Sequence, residues 1–180
     1  CGRLPISIEA KAEDNPCAAT YYVGKPMTKR GFSTRYVTYS EGVFVGYRGY
    51  DRSQVKPLYP FGHGLTYTTF EYSDLKVTPA KGGCDVQITL TNTGAYDASE
   101  VVQVYVTDLV ASTVRPRKQL RAFERVAVAK GETVRVEMVL EEPAFIVYDR
   151  DMNPVVEPGE FTIAVGASSS DIKLKENITL

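Results

Sequence analysis

The sequence predicts a mainly β fold, two antiparallel sheets packed face to face, preceded by a loop-rich segment. Three observations lead there. From residue 70 onward apolar and polar residues alternate in strand-length runs, the period of a chain with one buried face. Turn-forming residues interrupt those runs at short intervals. Before residue 70 the composition is different: glycine and proline recur, and nine of the twelve tyrosines lie before residue 73.

The strands follow in order. Phe70–Val77 reads as the first, ended by Pro79 and the Gly82-Gly83 pair. Asp85–Leu90 alternates strictly and places Val86, Ile88 and Leu90 on one face, with Asn92-Thr93-Gly94 as the turn. Val101–Thr107 comes next, with Val102, Val104 and Val106 together. Leu120–Val128 follows a proline-interrupted loop, and Lys130-Gly131 turns the chain. In Thr133–Leu140, Val134, Val136, Met138 and Leu140 point inward while Arg135 and Glu137 point outward. Phe145–Tyr148 is short, Asp149–Asn153 is a polar turn, and Phe161–Val165 alternates again after Glu157-Pro158-Gly159. Ile172–Leu174 finishes the sheet. About seven strands in roughly 110 residues fit an immunoglobulin-like or fibronectin type III-like β-sandwich.

The leading segment offers only Leu4–Ile8 and Gly42–Tyr47 as short regular pieces, and no amphipathic helix. A loop-rich stretch of this length rarely stands alone and is expected to lie on another surface. The start at Cys1 followed by Gly2-Arg3-Leu4-Pro5 reads as mid-protein sequence, so a fragment is expected.

Composition excludes several functions. A net charge of −1 and a pI near 5.9 leave no electrostatic footprint for nucleic acid, and no apolar run has membrane-spanning length. Cys1, Cys17 and Cys84 form no metal spacing, and the odd count argues against a disulfide framework. His63 is the single histidine, so neither a metal site nor a cofactor site is expected. Glycoside hydrolysis needs paired carboxylates. Glu13, Asp14, Glu41 and Asp51 are the candidates, but their spacing selects no pair, and Glu41 reads as a partner of Arg48 or another base. Arg115-Pro116-Arg117-Lys118 reads as a solvated loop. Asn177-Ile178-Thr179 matches a glycosylation acceptor by form alone. The tyrosines suit a mixed, wet interface better than a sugar platform, since no tryptophan is present.

Residues 36–50, YVTYSEGVFVGYRGY, then Asp51 and Pro57–Phe70, resemble the C-terminal part of glycoside hydrolase family 3 enzymes, chiefly β-glucosidases and β-xylosidases. Glu100–Asp108 with Arg115-Pro116, Lys118-Gln119-Leu120 and Phe123-Glu124, and Val156–Phe161 with Val165-Gly166, resemble the fibronectin type III-like domain that closes many of them. Gly2–Pro5 and Glu13–Pro16 resemble the segment before the first motif; Cys17 and a Thr28–Arg35 loop depart from the pattern.

The resemblance implies a retaining β-glycosidase whose nucleophile and acid/base both lie upstream, so no catalytic residue is carried onto this chain. It implies a remnant of an α/β sandwich domain and connector over 1–69 and the β-sandwich over 70–180. The partners implied are the catalytic domains of the parent, and through them an oligo- or polysaccharide, in a secreted or periplasmic setting. In the connector, Gly62 and Gly64 give the turn, and Phe61, Leu65, Tyr67 and Phe70 are expected to anchor it. Tyr47, Tyr50, Phe61, His63 and Tyr67 are the candidate junction residues. The competing reading is a free-standing polysaccharide-binding or adhesion module.

Overall fold

The structure, a computed structural model, describes residues 2–21, 25–29 and 32–180. The leading segment holds a one-turn helix α1 (Ala18–Tyr21), an antiparallel hairpin of β1 (Lys25–Lys29) and β2 (Phe32–Tyr36), and α2 (Tyr47–Ser53). The strands that follow are β3 (Phe70–Ala80), β4 (Gly83–Asn92), β5 (Ala98–Asp108), β6 (Gln119–Val128), β7 (Thr133–Leu140), the two-residue strands β8 (Val147–Tyr148) and β9 (Pro154–Val155), β10 (Glu160–Ser168) and β11 (Asp171–Thr179).

Seven of them make the sandwich, a three-stranded sheet in the order β3-β4-β7 and a four-stranded sheet in the order β11-β10-β5-β6, all neighbours antiparallel. The alternating residues meet between the sheets. Val86 lies beside Met138 and Ile88 beside Val136 in one sheet, and Ile163 beside Val106 and Val165 beside Val104 in the other. All of these are buried, as are Leu90, Val102, Leu140 and Phe161. Each such side chain contributes about 1.5–3 kcal/mol through apolar burial. Phe145 closes one end edge-on to Phe161, with ring centroids 5.3 Å apart.

Four expectations change. β3 does not stop before Pro79 but continues to Ala80, with Pro79 opposite Cys84. β3 is the sheet's edge strand, where a residue without an N–H costs no ladder bond on its open side. β11 is nine residues long rather than three, because it pairs along the whole of β10. The Thr28–Arg35 loop is a hairpin, with Met27 opposite Thr34 and Thr28 opposite Ser33; residues 30–31 at its tip lie outside the described residues. Gly42–Tyr47 is no strand. Gly42 and Gly46 take φ of 57° and 55°, which breaks an extended path, and the chain enters α2 at Tyr47.

The four-stranded sheet is covered on both faces. From Val102 to Val106 every residue of β5 is buried, and so is Ile163–Gly166 of β10. The inner face meets the other sheet; the outer face carries Gln103 and Tyr105, 2% and 0% exposed. What covers that outer face is the leading segment.

Candidate functional site

The seam between the leading segment and the sandwich is where the chemistry-bearing residues gather. α2 supplies two of them. Tyr47 and Asp51 are four residues apart, so they share one helix face. The Tyr47 ring stacks on Phe61 at 4.7 Å and meets Tyr105 edge-on at 6.3 Å. Its hydroxyl oxygen accepts the Leu120 N–H at 3.0 Å. One turn later the Asp51 carboxylate accepts from Lys118 Nζ through both oxygens, at 2.6 and 2.7 Å. α2 is thereby fixed to the start of β6.

The connector supplies the rest. Tyr59 and Ile8 exchange two backbone hydrogen bonds, 2.8 and 3.1 Å. The Phe61 N–H donates to Ser7 Oγ, and its carbonyl accepts the Ser169 N–H at 2.9 Å. The Gly62 N–H donates to the Leu4 carbonyl at 2.8 Å, and its own carbonyl accepts from Gln103 Nε2 at 3.2 Å. With φ at 81° and a Cβ position that would overlap the Gln103 carboxamide oxygen, only glycine fits there. Beneath it, Gln103 Nε2 also donates to the Ala167 carbonyl at 2.7 Å, and Gln103 Oε1 accepts the Tyr105 hydroxyl at 2.6 Å. Burial, with the Tyr47 ring and Asp51 nearby, pushes the Tyr105 phenol above its ordinary range. Further along, Arg3 pairs with the buried Glu100. Burial, with Glu100 beside it, raises the Tyr72 phenol as well.

The structure therefore brings Tyr47 and Phe61 together and buries Tyr50, whose hydroxyl has no hydrogen-bond partner among the described residues. The Tyr50 phenol is pushed up by that burial and by Glu9 and Asp14. His63 takes part through its backbone: its carbonyl accepts the Leu4 N–H at 2.8 Å, its N–H donates to the Pro60 carbonyl at 3.1 Å, and its ring lies 5.3 Å from that of Tyr59. Tyr67 and Leu65 do not anchor the connector within this chain. They stand 93% and 82% exposed, because Phe61 and the Gly62 turn already fill the seam.

The basic run is not a solvated loop either. Arg115 pairs with Asp108 and Lys118 with Asp51, all with mostly buried side chains, because β5 and α2 present those carboxylates to the loop. Glu41 pairs with no base among the described residues. It accepts the Thr20 hydroxyl at 3.2 Å, and burial together with that carboxylate pushes the Cys17 thiol up. Among the described residues no cluster of three or more His, Cys, Asp or Glu could hold a metal.

Gln103, Tyr105, Arg3, Glu100 and Ser169 were not among the candidate junction residues, although the first four lie in the stretches that carry the family resemblance. One partial signal was available: in Val101-Val102-Gln103-Val104-Tyr105-Val106 the phase opposite Val102, Val104 and Val106 carries Val101 and Tyr105 beside Gln103, more apolar than a solvent-facing side requires. Beside the seam lies an open groove of about 290 Å³ lined by Tyr47, Tyr50, Asp51, Lys56, Arg117 and Ser170. This arrangement fixes elements to each other.

Comparison with known proteins covers nearly the whole chain. A model of the fibronectin type III-like domain matches residues 100–169. The thermostable β-glucosidase B of Acetivibrio thermocellus is 44% identical over 98% of this chain, and the exo-α-(1→6)-L-arabinopyranosidase of Bifidobacterium breve is 41% identical over 95%. The chain spans only 23% and 22% of their lengths, for the first of them in its C-terminal part. The crystal structure of a glycoside hydrolase family 3 β-glucosidase from Bifidobacterium adolescentis superposes with a TM-score of 0.87 at 36% identity, over 99% of this chain and 26% of that one.

Proposed function

Because this chain belongs to glycoside hydrolase family 3, as a C-terminal region with the family's fibronectin type III-like domain, we propose that it is the buttress of a retaining β-glycosidase whose catalytic carboxylates lie upstream. The single observation that carries the proposal is the coverage: almost all of this chain matches, against less than a quarter of the curated relative. On this reading 1–69 is the last edge of an α/β sandwich domain plus its connector, and 70–180 is the supporting domain. Tyr47, Tyr50, Phe61 and His63 lock one to the other, while Tyr67 faces outward toward the parent.

Two features support it. The leading segment exposes Ile6, Tyr39, Val43, Val45 and Leu58, an apolar surface of the kind that contacts another body. And relatives named for different sugars are 44% and 41% identical to this chain over almost its whole length, as expected of a supporting part used by enzymes of different sugar choice. On the same reading the substrate of the whole protein is an oligo- or polysaccharide.

The test has two arms. The isolated chain is assayed on aryl β-glucosides and β-xylosides, and turnover by it would overturn the proposal. The A. thermocellus enzyme truncated of its matching C-terminal part is then mixed with this chain. Recovery of activity or stability is the expected result, and an unchanged truncated enzyme counts against the buttress.

A further inference from the structure

At the end of the sandwich nearest α2, three guanidinium groups gather and only one of them has a carboxylate partner among the described residues. Arg48 leaves α2, Arg115 leaves the β5–β6 loop and Arg121 leaves β6, and all three line one groove of about 470 Å³. Asp108 is taken by Arg115. Neither Arg48 nor Arg121 pairs with a carboxylate among the described residues; Glu141, on an adjoining rim, makes no ion pair with Arg121.

The Arg121 Nε is fully shielded from solvent and has no acceptor among the described residues. A shielded guanidinium donor without an acceptor is costly, since the charge has lost water and gained nothing. Burial, and then the neighbouring Arg48, push the Arg121 guanidinium below its ordinary range. The rim of the groove is apolar: Val43, Val114 and Tyr148 stand 46%, 78% and 57% exposed.

We infer that this groove receives a carboxylate-bearing polypeptide segment, a glutamate or aspartate flanked by apolar residues, whose carboxylate pairs with Arg121 and Arg48. Charge complementarity sets the acidic centre, because a carboxylate supplies the acceptors that a guanidinium fork lacks here. The apolar rim selects a peptide over a free inorganic anion, which would gain nothing from Val114 and Tyr148. The source of the segment, the catalytic portion of the parent, rests on the function proposed above; the site itself does not.

The test uses this chain alone, so it can fail while complementation of the truncated relative succeeds. Isotope-labelled chain is titrated with the blocked tripeptide Val-Glu-Val and with its Val-Gln-Val twin, and the Arg121 Nε–Hε resonance is followed. The glutamate peptide shifts that resonance saturably, with an affinity about tenfold or more above that of the glutamine twin. Binding weakens as ionic strength is raised from about 0.05 M to about 0.5 M. Arg121→Gln abolishes it and Arg48→Gln weakens it; if Arg121→Gln fails to fold, the wild-type resonance and Arg48→Gln still decide. An unmoved Arg121 resonance overturns the inference. So does an equal response to the glutamine twin, an equal response to acetate alone, or a groove already filled by a second copy in sedimentation velocity.

Discussion

Replacing Gln103 by leucine keeps the size of the side chain and removes three hydrogen bonds at once. Gln103 donates to the Gly62 carbonyl at 3.2 Å and the Ala167 carbonyl at 2.7 Å, and accepts from the Tyr105 hydroxyl at 2.6 Å. Gln103 is 2% exposed and Tyr105 is fully buried, so water cannot replace what is lost. Each orphaned group costs about 1–3 kcal/mol. The Gly62 bond is the longest and has most room to relax, which puts the loss at about 3–5 kcal/mol, a large share of the ~5–15 kcal/mol that holds a domain together. Tyr105→Phe removes one bond and strands only Gln103 Oε1, for about 1–2 kcal/mol. In the double variant the phenol is gone together with its acceptor, so the cost falls below the sum of the singles by about 1 kcal/mol or more. Urea unfolding followed by far-ultraviolet circular dichroism measures all three, with the slope unchanged if the native surface is unchanged. A loss under about 1 kcal/mol for Gln103→Leu, or strict additivity, would refute the argument that the connector is sealed onto the outer face of the four-stranded sheet.

Gly62→Ala forces an unfavourable positive φ and drives a methyl into Gln103; a loss of about 2 kcal/mol or more is expected in thermal unfolding. Arg3→Ala strands the buried Glu100 carboxylate and costs about 2–4 kcal/mol, whereas Arg135→Ala, from an exposed pair, costs under about 0.5 kcal/mol; parallel denaturant titrations compare them. Burial, with Asp85 adding to it, lifts the Cys84 thiol from 9.0 to about 11, and the Tyr72 and Tyr105 phenols rise too. These groups keep their protons longer in the folded chain than in the unfolded one, so the stability they hold is complete below pH 9 and drains away as pH climbs toward 11. The urea midpoint falls across that window, and a flat profile contradicts the assignment. At pH 8 iodoacetamide labels the partly exposed Cys17 in the native chain and spares Cys84.

The sandwich was readable because its signal is local. Strict alternation in Asp85–Leu90 and Thr133–Leu140 placed Val86, Ile88, Leu90, Val136, Met138 and Leu140 inward, where the structure has them. Errors arose where distant partners decide. Pro79 is tolerated because β3 is an edge, and β11 extends because β10 runs beside it; neither fact is written in the residues themselves. The leading segment was harder still. α2 is seven residues long, too short to show a helical period, and its place is fixed by Tyr47 and Asp51 reaching Phe61 and Lys118. The seam residues from β5 were hidden in plain alternation: Gln103 and Tyr105 occupy positions that a one-faced strand turns to solvent. Phe61, Gly62 and His63 of the motif lie along the seam, held by main-chain hydrogen bonds to Ser169, Leu4 and Pro60. The hydrogen bonds that His63 makes among the described residues run through its main chain, while its ring lies against Tyr59.

The two-sided cover of β5 and β10 has a practical meaning for anyone who would move this domain between proteins. A gene cut at Phe70 would deliver seven strands with a raw outer wall of Gln103, Tyr105 and Ala164, polar hooks and aromatic surface suddenly wetted. Such a trimmed product would be sticky and hard to recover in solution. The transferable cassette is the longer one, carrying Arg3 through Gly62 along with the strands, which keeps the outer face of β5 and β10 covered.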